Sequence, residues 1–374
     1  MKKIVIVTTG LRNGGAERAL YQLVIEASKK MEVYVVSLVP PTYYKNDFLD
    51  LPISLVDSDS NRFYFIKQLL QLYFLIRRQR PDAVQTWMYH ADIFGGLVAK
   101  FAGANRIIWG VRSSVLRWGE AKATTLLLVK VGILLSRIIP DAIIFCSRVS
   151  LNAHLKIGYD KKKVQLINNS FRESEFHVMT TQSTNQKFFH LGFIGRFDPV
   201  KNIPLILQST SECIHQGVPV RLSMCGTDIS SENKNLLNLI RQKNLESHIN
   251  LCGEVKNLRR LYNSMDLLIV GSLSESFPNV ILEAKGCGCM AVSSDVGAAR
   301  EIIGRYGLIV QSYDPLDFAS AIKRIYSFKN RWSPQAWKKL RKKISRDAKL
   351  RYSQLAALSA YEQVWFPKGG SGNG

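Results

Sequence analysis

Two glutamates with seven residues between them carry the most suggestive chemistry in the chain. They bracket Glu275-Ser276-Phe277-Pro278-Asn279-Val280-Ile281-Leu282-Glu283, directly downstream of the apolar run Leu267-Leu268-Ile269-Val270. The run reads as a buried strand, and the segment reads as a loop opening into a helix with Pro278 suited to its first turn. On a single helix the two carboxylates would stand about 12 Å apart along the axis. Glu275, however, precedes the helix, at the carboxyl end of a strand where α/β proteins bind ligands. One carboxylate at the mouth of a pocket and one on its wall suits a long, two-ended ligand such as a sugar nucleotide. Glutamates at this spacing are also common on solvated helices, so their neighbours must decide.

The neighbours include a pair of cations. Gly192-Phe193-Ile194-Gly195-Arg196-Phe197-Asp198-Pro199-Val200-Lys201-Asn202 follows another strand-like run. Gly195 permits close backbone approach, and Arg196 and Lys201 supply the fixed charge that a pyrophosphate leaving group needs when no metal neutralises it. The one Asp-x-Asp pair, Asp57-Ser58-Asp59, lies in a polar connection, so no metal and no other cofactor is expected. A glycine turn, Cys225-Gly226-Thr227, could pass under a nucleotide. Near the N-terminus, Gly10-Leu11-Arg12-Asn13-Gly14-Gly15-Ala16-Glu17 joins a strand to a helix, whose first amides at Gly14 and Gly15 could hold phosphate. Tight β-α turns use glycine with or without a ligand, so each loop alone says little.

The elements that must position these groups alternate regularly. Strands are expected at Ile4–Thr8, Val33–Leu38, Ala83–Thr86, Ile107–Trp109, Ala142–Cys146 and Val164–Ile167, with helices at Glu17–Lys29, Arg62–Arg78, Asp92–Phe101, Thr124–Ile138 and Val149–Ile157 between them. The polar stretch Thr180–Gln186 reads as a linker. The alternation restarts with strands at Phe189–Ile194, Arg221–Cys225, Ile249–Leu251, Leu267–Val270, Met290–Ser293 and Leu308–Gln311. Its helices are expected at Pro204–His215, Ser231–Lys243, Arg259–Met265, Asn279–Gly286 and Pro315–Tyr326. Repeated β-α units imply parallel, doubly wound sheets, here two Rossmann-like domains facing a cleft. The boundaries expected are 1–178 and 187–351. A single last helical pattern, Arg341–Trp365, would carry Leu350, Leu355, Leu358, Tyr361 and Trp365 on one stripe, and its end at about 352–366 would join the first domain.

Composition narrows the setting. The 374 residues and 46% hydrophobic content suffice for two cores, and six scattered cysteines fit reduced thiols in a cytoplasmic compartment. Met1-Lys2-Lys3 leads straight into an apolar run too short for a signal peptide. The net charge is +22. From Arg62 to Arg137 there are twelve Lys or Arg against three acids, and from Lys323 to Arg351 twelve against one. Both stretches also carry aromatic and long apolar residues, a pattern that fits an anionic membrane surface. A solvated basic helix face is the plainer alternative. Nucleic acid is not expected, since no helix-turn-helix, zinc or RNA-binding signature is present. Thr124–Pro140 is very apolar, but Lys130 and Arg137 interrupt it and it falls short of about 20 residues, so it is read as packed or interfacial.

Taken together, Gly14-Gly15-Ala16-Glu17-Arg18, Gly195-Arg196 with Lys201, and Glu275 to Glu283 followed by Ala284 resemble the retaining glycosyltransferases of family 4. Trp87-Met88-Tyr89-His90-Ala91-Asp92 and Trp109-Gly110-Val111-Arg112-Ser113 further resemble members that build bacterial surface polysaccharides. The resemblance spans nearly the whole chain and implies the GT-B fold, with a final helix crossing back to the N-terminal domain. It implies that Arg196 and Lys201 hold a donor diphosphate and that Glu275 contacts the donor sugar. The backbone of Phe277, Pro278, Asn279 and Val280 would lie near sugar and phosphates, Glu283 would bond the ribose, and Gly195, Gly226 and Thr227 would line the nucleotide. His90 matches a first-domain histidine near the reacting sugar, although a hydrogen-bonded histidine at a strand end fits equally. Asp92 and Arg112 fall on the acceptor side, where many relatives have a second histidine in place of Arg112; many also have glycine at Pro278. The implied activity is metal-independent, retaining transfer from a nucleotide sugar to a lipid-linked or growing glycan, at the inner face of the plasma membrane. A sugar-nucleotide-binding scaffold subunit, an epimerase or a phosphorylase on the same fold are the other readings.

Overall fold

The computed structural model describes residues 1–56, 63–113, 123–179 and 187–367. They form two compact units, residues 1–170 with 354 onward, and residues 171–353. The expected linker Thr180–Gln186, the Asp57-Ser58-Asp59 pair and the glycine-rich tail from Gly369 lie outside the described residues.

The first unit is built on strands β1 (Lys3–Thr8), β2 (Glu32–Ser37), β3 (Ser54–Val56), β4 (Ala83–Trp87), β5 (Ile107–Val111), β6 (Ala142–Phe145) and β7 (Val164–Leu166). Its helices so far are α1 (Gly15–Ala27), α2 (Lys45–Leu49), α3 (Tyr64–Gln79), α4 (Gly96–Phe101), α5 (Ala123–Leu135) and α6 (Arg148–Ile157). The strands pair in parallel in the order β3-β2-β1-β4-β5-β6-β7. Both faces of a parallel sheet are covered, so successive strand residues serve different cores. Ile4 and Ile6 pack with Leu20 and Val24 of α1, whereas Val5 and Val7 pack with Leu72 of α3, Ala99 of α4 and Val129 of α5. The short β3 and α2 escape a search for periodicity because three and five residues complete too little of any repeat.

The second unit carries β8 (Phe189–Ile194), β9 (Val220–Cys225), β10 (Ile249–Leu251), β11 (Leu267–Val270), β12 (Met290–Ser294) and β13 (Gly307–Val310), parallel in the order β10-β9-β8-β11-β12-β13. Its helices are α7 (Ile203–His215), α8 (Lys234–Arg241), α9 (Leu258–Ser264), α10 (Asn279–Gly286), α11 (Ala299–Ile303), α12 (Pro315–Asn330) and α13 (Pro334–Tyr352). Strand order reverses between β1 and β4 in one sheet and between β8 and β11 in the other. Such switch points open a crevice at the carboxyl ends of the strands, and the loops carrying Gly14, Arg196 with Lys201, and Glu275 begin at them. All six cysteines are free thiols, and Cys287 and Cys289 are buried as small core side chains.

The expected single helix Arg341–Trp365 is in fact two. α13 ends at Tyr352, Ser353 is extended (φ −66°, ψ 148°), and α14 (Gln354–Trp365) belongs to the first unit. Leu350 and Leu355 are exposed, so the expected stripe is real only for Leu358, Tyr361 and Trp365, all buried on α14. There the Trp365 indole donates to Gln85 Oε1 at 2.9 Å, Arg106 donates to the Val364 carbonyl at 2.6 Å, and Tyr361 stacks on Trp87. Among the described residues no helix is long and apolar enough to cross a membrane. Trp365→Ala removes a fully buried indole and orphans Gln85. It is expected to destabilise the first unit by about 3–5 kcal/mol, seen as a lower urea midpoint for the full-length chain.

Candidate functional site

In the second unit the residues expected to grip a donor converge on the switch point between β8 and β11. After β8 the chain turns at Gly195 and Arg196, then makes one tight helical turn, Pro199–Lys201. Asp198 sets that turn: one carboxylate oxygen accepts from Val200 N at 3.0 Å, and the other meets Arg196 at 3.2 Å. The turn points Lys201 at the loop after β11, where its amine lies 2.5 Å from Glu275 Oε1. The Ser272 hydroxyl donates to the same oxygen at 2.9 Å, and Leu273 N donates to the Val200 carbonyl at 2.8 Å. Lys201 and Glu275 are mostly buried, at 19% and 16% side-chain exposure, whereas Arg196 is half exposed. A cation and a carboxylate thus share a partly desolvated corner, with a second cation at its rim.

Each of the two loops is backed by a glycine from a neighbouring loop. At Gly226 (φ 139°) a Cβ would sit 2.1 Å from the Gly195 carbonyl oxygen, so backbone lies directly on backbone. At Gly297 (φ 50°) a Cβ would come within 2.4 Å of the carbonyl oxygens of both Glu275 and Ser276. Ala298 N also donates to the Ser276 carbonyl at 3.2 Å. Sequence reasoning found Gly226 but missed Gly297, although a glycine just past β12, the next strand of the sheet, was the available signal. Beside Gly226, Thr227 accepts through its carbonyl from Phe197 N at 2.9 Å and bonds Glu254 through its hydroxyl.

The other half of the segment lies deeper. Phe277 is buried with its ring edge-on to Tyr352, Pro278 caps α10, and Asn279 and Val280 form the first helical turn. Glu283 is 1% exposed, and its Oε2 accepts from the Tyr262 hydroxyl at 2.8 Å. It is therefore a wall residue already held by protein. The far end of α10 is clamped by α13, another feature that sequence reasoning missed. The buried Arg341 donates to the carbonyls of Met265 and Cys287 at 3.0 and 3.1 Å, and Ser345 donates to that of Gly286 at 2.6 Å. Lys285, buried in the same place, pairs with Asp347 at 2.6 Å, and burial lowers its pKa. The aromatic Trp337 of the same helix is buried too, so this basic stretch turns much of its apolar content inward.

In the first unit Gly14 and Gly15 begin α1, as expected, but the Glu17 carboxylate lies against Gly14, so that helix start already faces an acid of its own. The Trp87 indole donates to the Ala16 carbonyl at 2.9 Å and fixes the turn. Past β4, Met88 adopts a left-handed backbone (φ 76°), a strained conformation for a residue with a side chain. It precedes half-buried His90, whose pKa burial lowers, favouring the neutral ring. Arg112 is buried: it stacks 3.5 Å over Trp87 and donates to Asn169 (3.2 Å) and to the Tyr361 hydroxyl. The C-terminal helix is thus anchored by a residue that had been expected on the acceptor side. Among the described residues no cluster of three or more His, Cys, Asp or Glu could hold a metal ion.

Asp92 lies wholly inside, on a wide π-helical turn, Ala91–Gly95, that leads into α4. Its Oδ1 accepts from Thr86 (2.6 Å) and Gly110 N (3.1 Å), while Oδ2 has no hydrogen-bond partner among the described residues. Burial pushes its pKa up to about 7, against the opposing pull of those two donors and of Arg112. Folded Asp92 therefore holds a proton more tightly than the unfolded chain does. Its stabilising contribution is full below about pH 4, declines as pH rises to about 7, and stays lost above that. Wild type minus Asp92→Asn should show that decline in thermal stability between pH 4 and 8; a flat difference would remove the buried-proton account.

Against this geometry, the chain compares with known proteins as follows. The family model "Glycosyltransferase Family 4" matches residues 13–173, and "Glycosyl transferases group 1" matches 189–327. The Staphylococcus aureus capsular polysaccharide biosynthesis glycosyltransferase CapM is 23% identical over 317 residues, covering 79% of this chain and 81% of its own. A D-inositol 3-phosphate glycosyltransferase of Pseudarthrobacter chlorophenolicus is 30% identical over 145 residues, 37% of this chain; the match spans only 34% of that relative's length, about a third. Among solved structures, Anabaena Alr3699/HepE in complex with UDP-glucose superposes with a TM-score of 0.80 at 17% identity, covering 97% and 99% of the two chains. The lipopolysaccharide outer core galactosyltransferase WaaB superposes at 0.71 and 15% identity, covering 97% and 99%. The fold is GT-B, and with one family model on each Rossmann-like unit the chain belongs to the family 4, group 1 glycosyltransferases.

Proposed function

We propose that the chain transfers a sugar from a nucleotide-sugar donor to a lipid-linked or growing glycan in bacterial surface polysaccharide synthesis. Transfer retains the anomeric configuration and uses no metal, and the protein works peripherally at the cytoplasmic face of the plasma membrane. The observation that carries this reading is the Lys201–Glu275 pair beside Arg196 at the switch point of the second sheet. A lysine ammonium has three donors, so Lys201 can keep Glu275 and still take a phosphate oxygen. Arg196, at the exposed rim, closes on the other phosphate with its planar fork.

On this reading the bond between the anomeric carbon and the β-phosphate oxygen breaks while the acceptor oxygen bonds the same face of that carbon. The acceptor's proton passes to the departing β-phosphate oxygen. Lys201 and Arg196 stabilise the charge that develops there, and Glu275 orients the sugar hydroxyls. Glu283 reaches the ribose only if Tyr262 shares its carboxylate. The relative crystallised with UDP-glucose makes uridine diphosphate sugars the first donors to try.

Lys201→Ala and Glu275→Ala are each expected to lower donor hydrolysis or transfer by about 10²–10³-fold in kcat, read by released nucleoside diphosphate. Full activity in both would end the site assignment, and donor binding without turnover on any acceptor would favour the scaffold reading. Gly226→Ala drives a methyl group into the Gly195 carbonyl and displaces the Arg196 loop. It should weaken donor binding by about tenfold or more, measured by calorimetric titration.

A further inference from the structure

We propose that one face of the first unit, formed by α3, α4 and α5, docks on an anionic lipid bilayer, and that the basic stretch on α12 and α13 does not. The proposal deepens the peripheral location argued above and rests on that reading only for its biological setting.

Helix α3 is covered on one side only. Tyr64, Gln68, Leu72 and Ile76 are buried, and the opposite stripe, Ile66, Leu70 and Phe74 at successive fourth positions, stands 57%, 56% and 65% exposed. The face continues onto neighbouring helices on the same side of the sheet. α3 packs against α4, which ends in Phe101, 77% exposed. Lys100 of α4 donates to the Ile138 carbonyl at 3.1 Å just past α5, and α5 itself exposes Leu127 and Leu134 at 62% and 63%. Exposed apolar residues are ordinarily scattered singly; a run across three adjacent helices marks a contact surface.

The charges name the partner. α3, α4 and α5 contain no Asp or Glu, and Lys67, Arg77, Arg78, Lys100 and Lys130 are exposed among the apolar residues. A second copy using the same face would set cation against cation across a two-fold interface. An anionic lipid surface accepts the apolar side chains into its acyl boundary while lysine and arginine reach its head groups. The other basic stretch has a smaller apolar share: Phe328 and Trp332 are only 37% and 40% exposed and form no stripe across adjacent helices. On α13 the exposed lysines include Lys339, Lys342 and Lys343, and Leu350 is its one exposed large hydrophobic residue.

The test is cosedimentation of the full-length protein with phosphatidylcholine vesicles, with and without phosphatidylserine. Wild type should bind the anionic vesicles and be released by salt. The triple variant Ile66→Asn/Leu70→Asn/Phe74→Asn should bind at least about tenfold more weakly. Lys67→Gln/Arg77→Gln/Arg78→Gln should lose about a hundredfold, and Lys339→Gln/Lys342→Gln/Lys343→Gln should lose nothing. Thermal midpoints matching wild type exclude misfolding, and the charge variant tests the face without touching its apolar stripe. Three results overturn the proposal: no preference for anionic vesicles, undiminished binding by both α3 variants, or loss confined to the α13 variant. So does wild-type self-association that the apolar variant abolishes while vesicle binding persists. Hydrolysis of a soluble nucleotide sugar, measured in parallel, separates the two readings. Hydrolysis without vesicle binding refutes the docking face alone, and vesicle binding with neither hydrolysis nor transfer to any acceptor supports the face while refuting the enzyme.

Discussion

The second unit depends on one contact, a lysine amine held 2.5 Å from a carboxylate oxygen at the junction of two strands. Taking both charges partly out of water is costly, and the cost is met only by close geometry and by extra hydrogen bonds. Ser272 supplies one such bond and the Leu273–Val200 backbone bond fixes the two loops that carry the charges. Each loop is backed in turn by a glycine, Gly226 against Gly195 and Gly297 against Glu275 and Ser276, with no side chain between backbone and backbone. Folding therefore assembles the charge pair, since neither loop reaches the other until the parallel sheet has aligned β8 beside β11.

A comparable dependence runs through the first unit, with aromatic rings in place of glycines. Arg112 stacks on Trp87, Trp87 holds the turn at Ala16, and the Tyr361 and Trp365 rings of α14 close over them. A guanidinium flattened between aromatic faces loses water but gains stacking and two hydrogen bonds. The helix that returns at the C-terminus is thereby keyed to β4, whose end carries Met88, His90 and Asp92, and to β5, whose end carries Arg112. Positions near the expected acceptor side thus serve also as struts. The strain at Met88 is affordable because β4 and the π-helical turn after it are pinned from several directions.

Most of the architecture was legible because parallel, two-faced sheets write themselves as short apolar runs separated by amphipathic helices. The alternation placed every strand but β3, and the Gly14-Gly15, Arg196–Lys201 and Glu275 motifs fell at the two switch points, with the Gly226 turn one strand away. What escaped depends on contacts that periodicity does not encode. The break at Ser353 interrupts a helical pattern without a proline or glycine to announce it. Arg341 looks like surface charge in a basic stretch and Lys285 like an ordinary helix lysine, yet both are buried, one on backbone carbonyls and the other against Asp347. Glu283 was read as a ligand contact from its place in a motif, whereas its burial and its bond to Tyr262 arise from α9, some twenty residues upstream.

The geometry around Glu275 also bears on how a retaining transfer would proceed here. A carboxylate serving as nucleophile must leave an oxygen free and oriented at the anomeric carbon. Glu275 Oε1 is occupied twice, by Lys201 and by Ser272, which leaves only Oε2 and restricts the motion of the carboxylate. Glu283 is further from such a role, since it is buried and holds a tyrosine hydroxyl. On the proposed reading the group that accepts the acceptor's proton is the departing phosphate itself. The protein's contribution then becomes electrostatic: a lysine fixed in place before substrate arrives costs no reorganisation when charge develops on the leaving oxygen. On the proposed reading Glu275 acts through that lysine, aiming the cation that stabilises the departing charge.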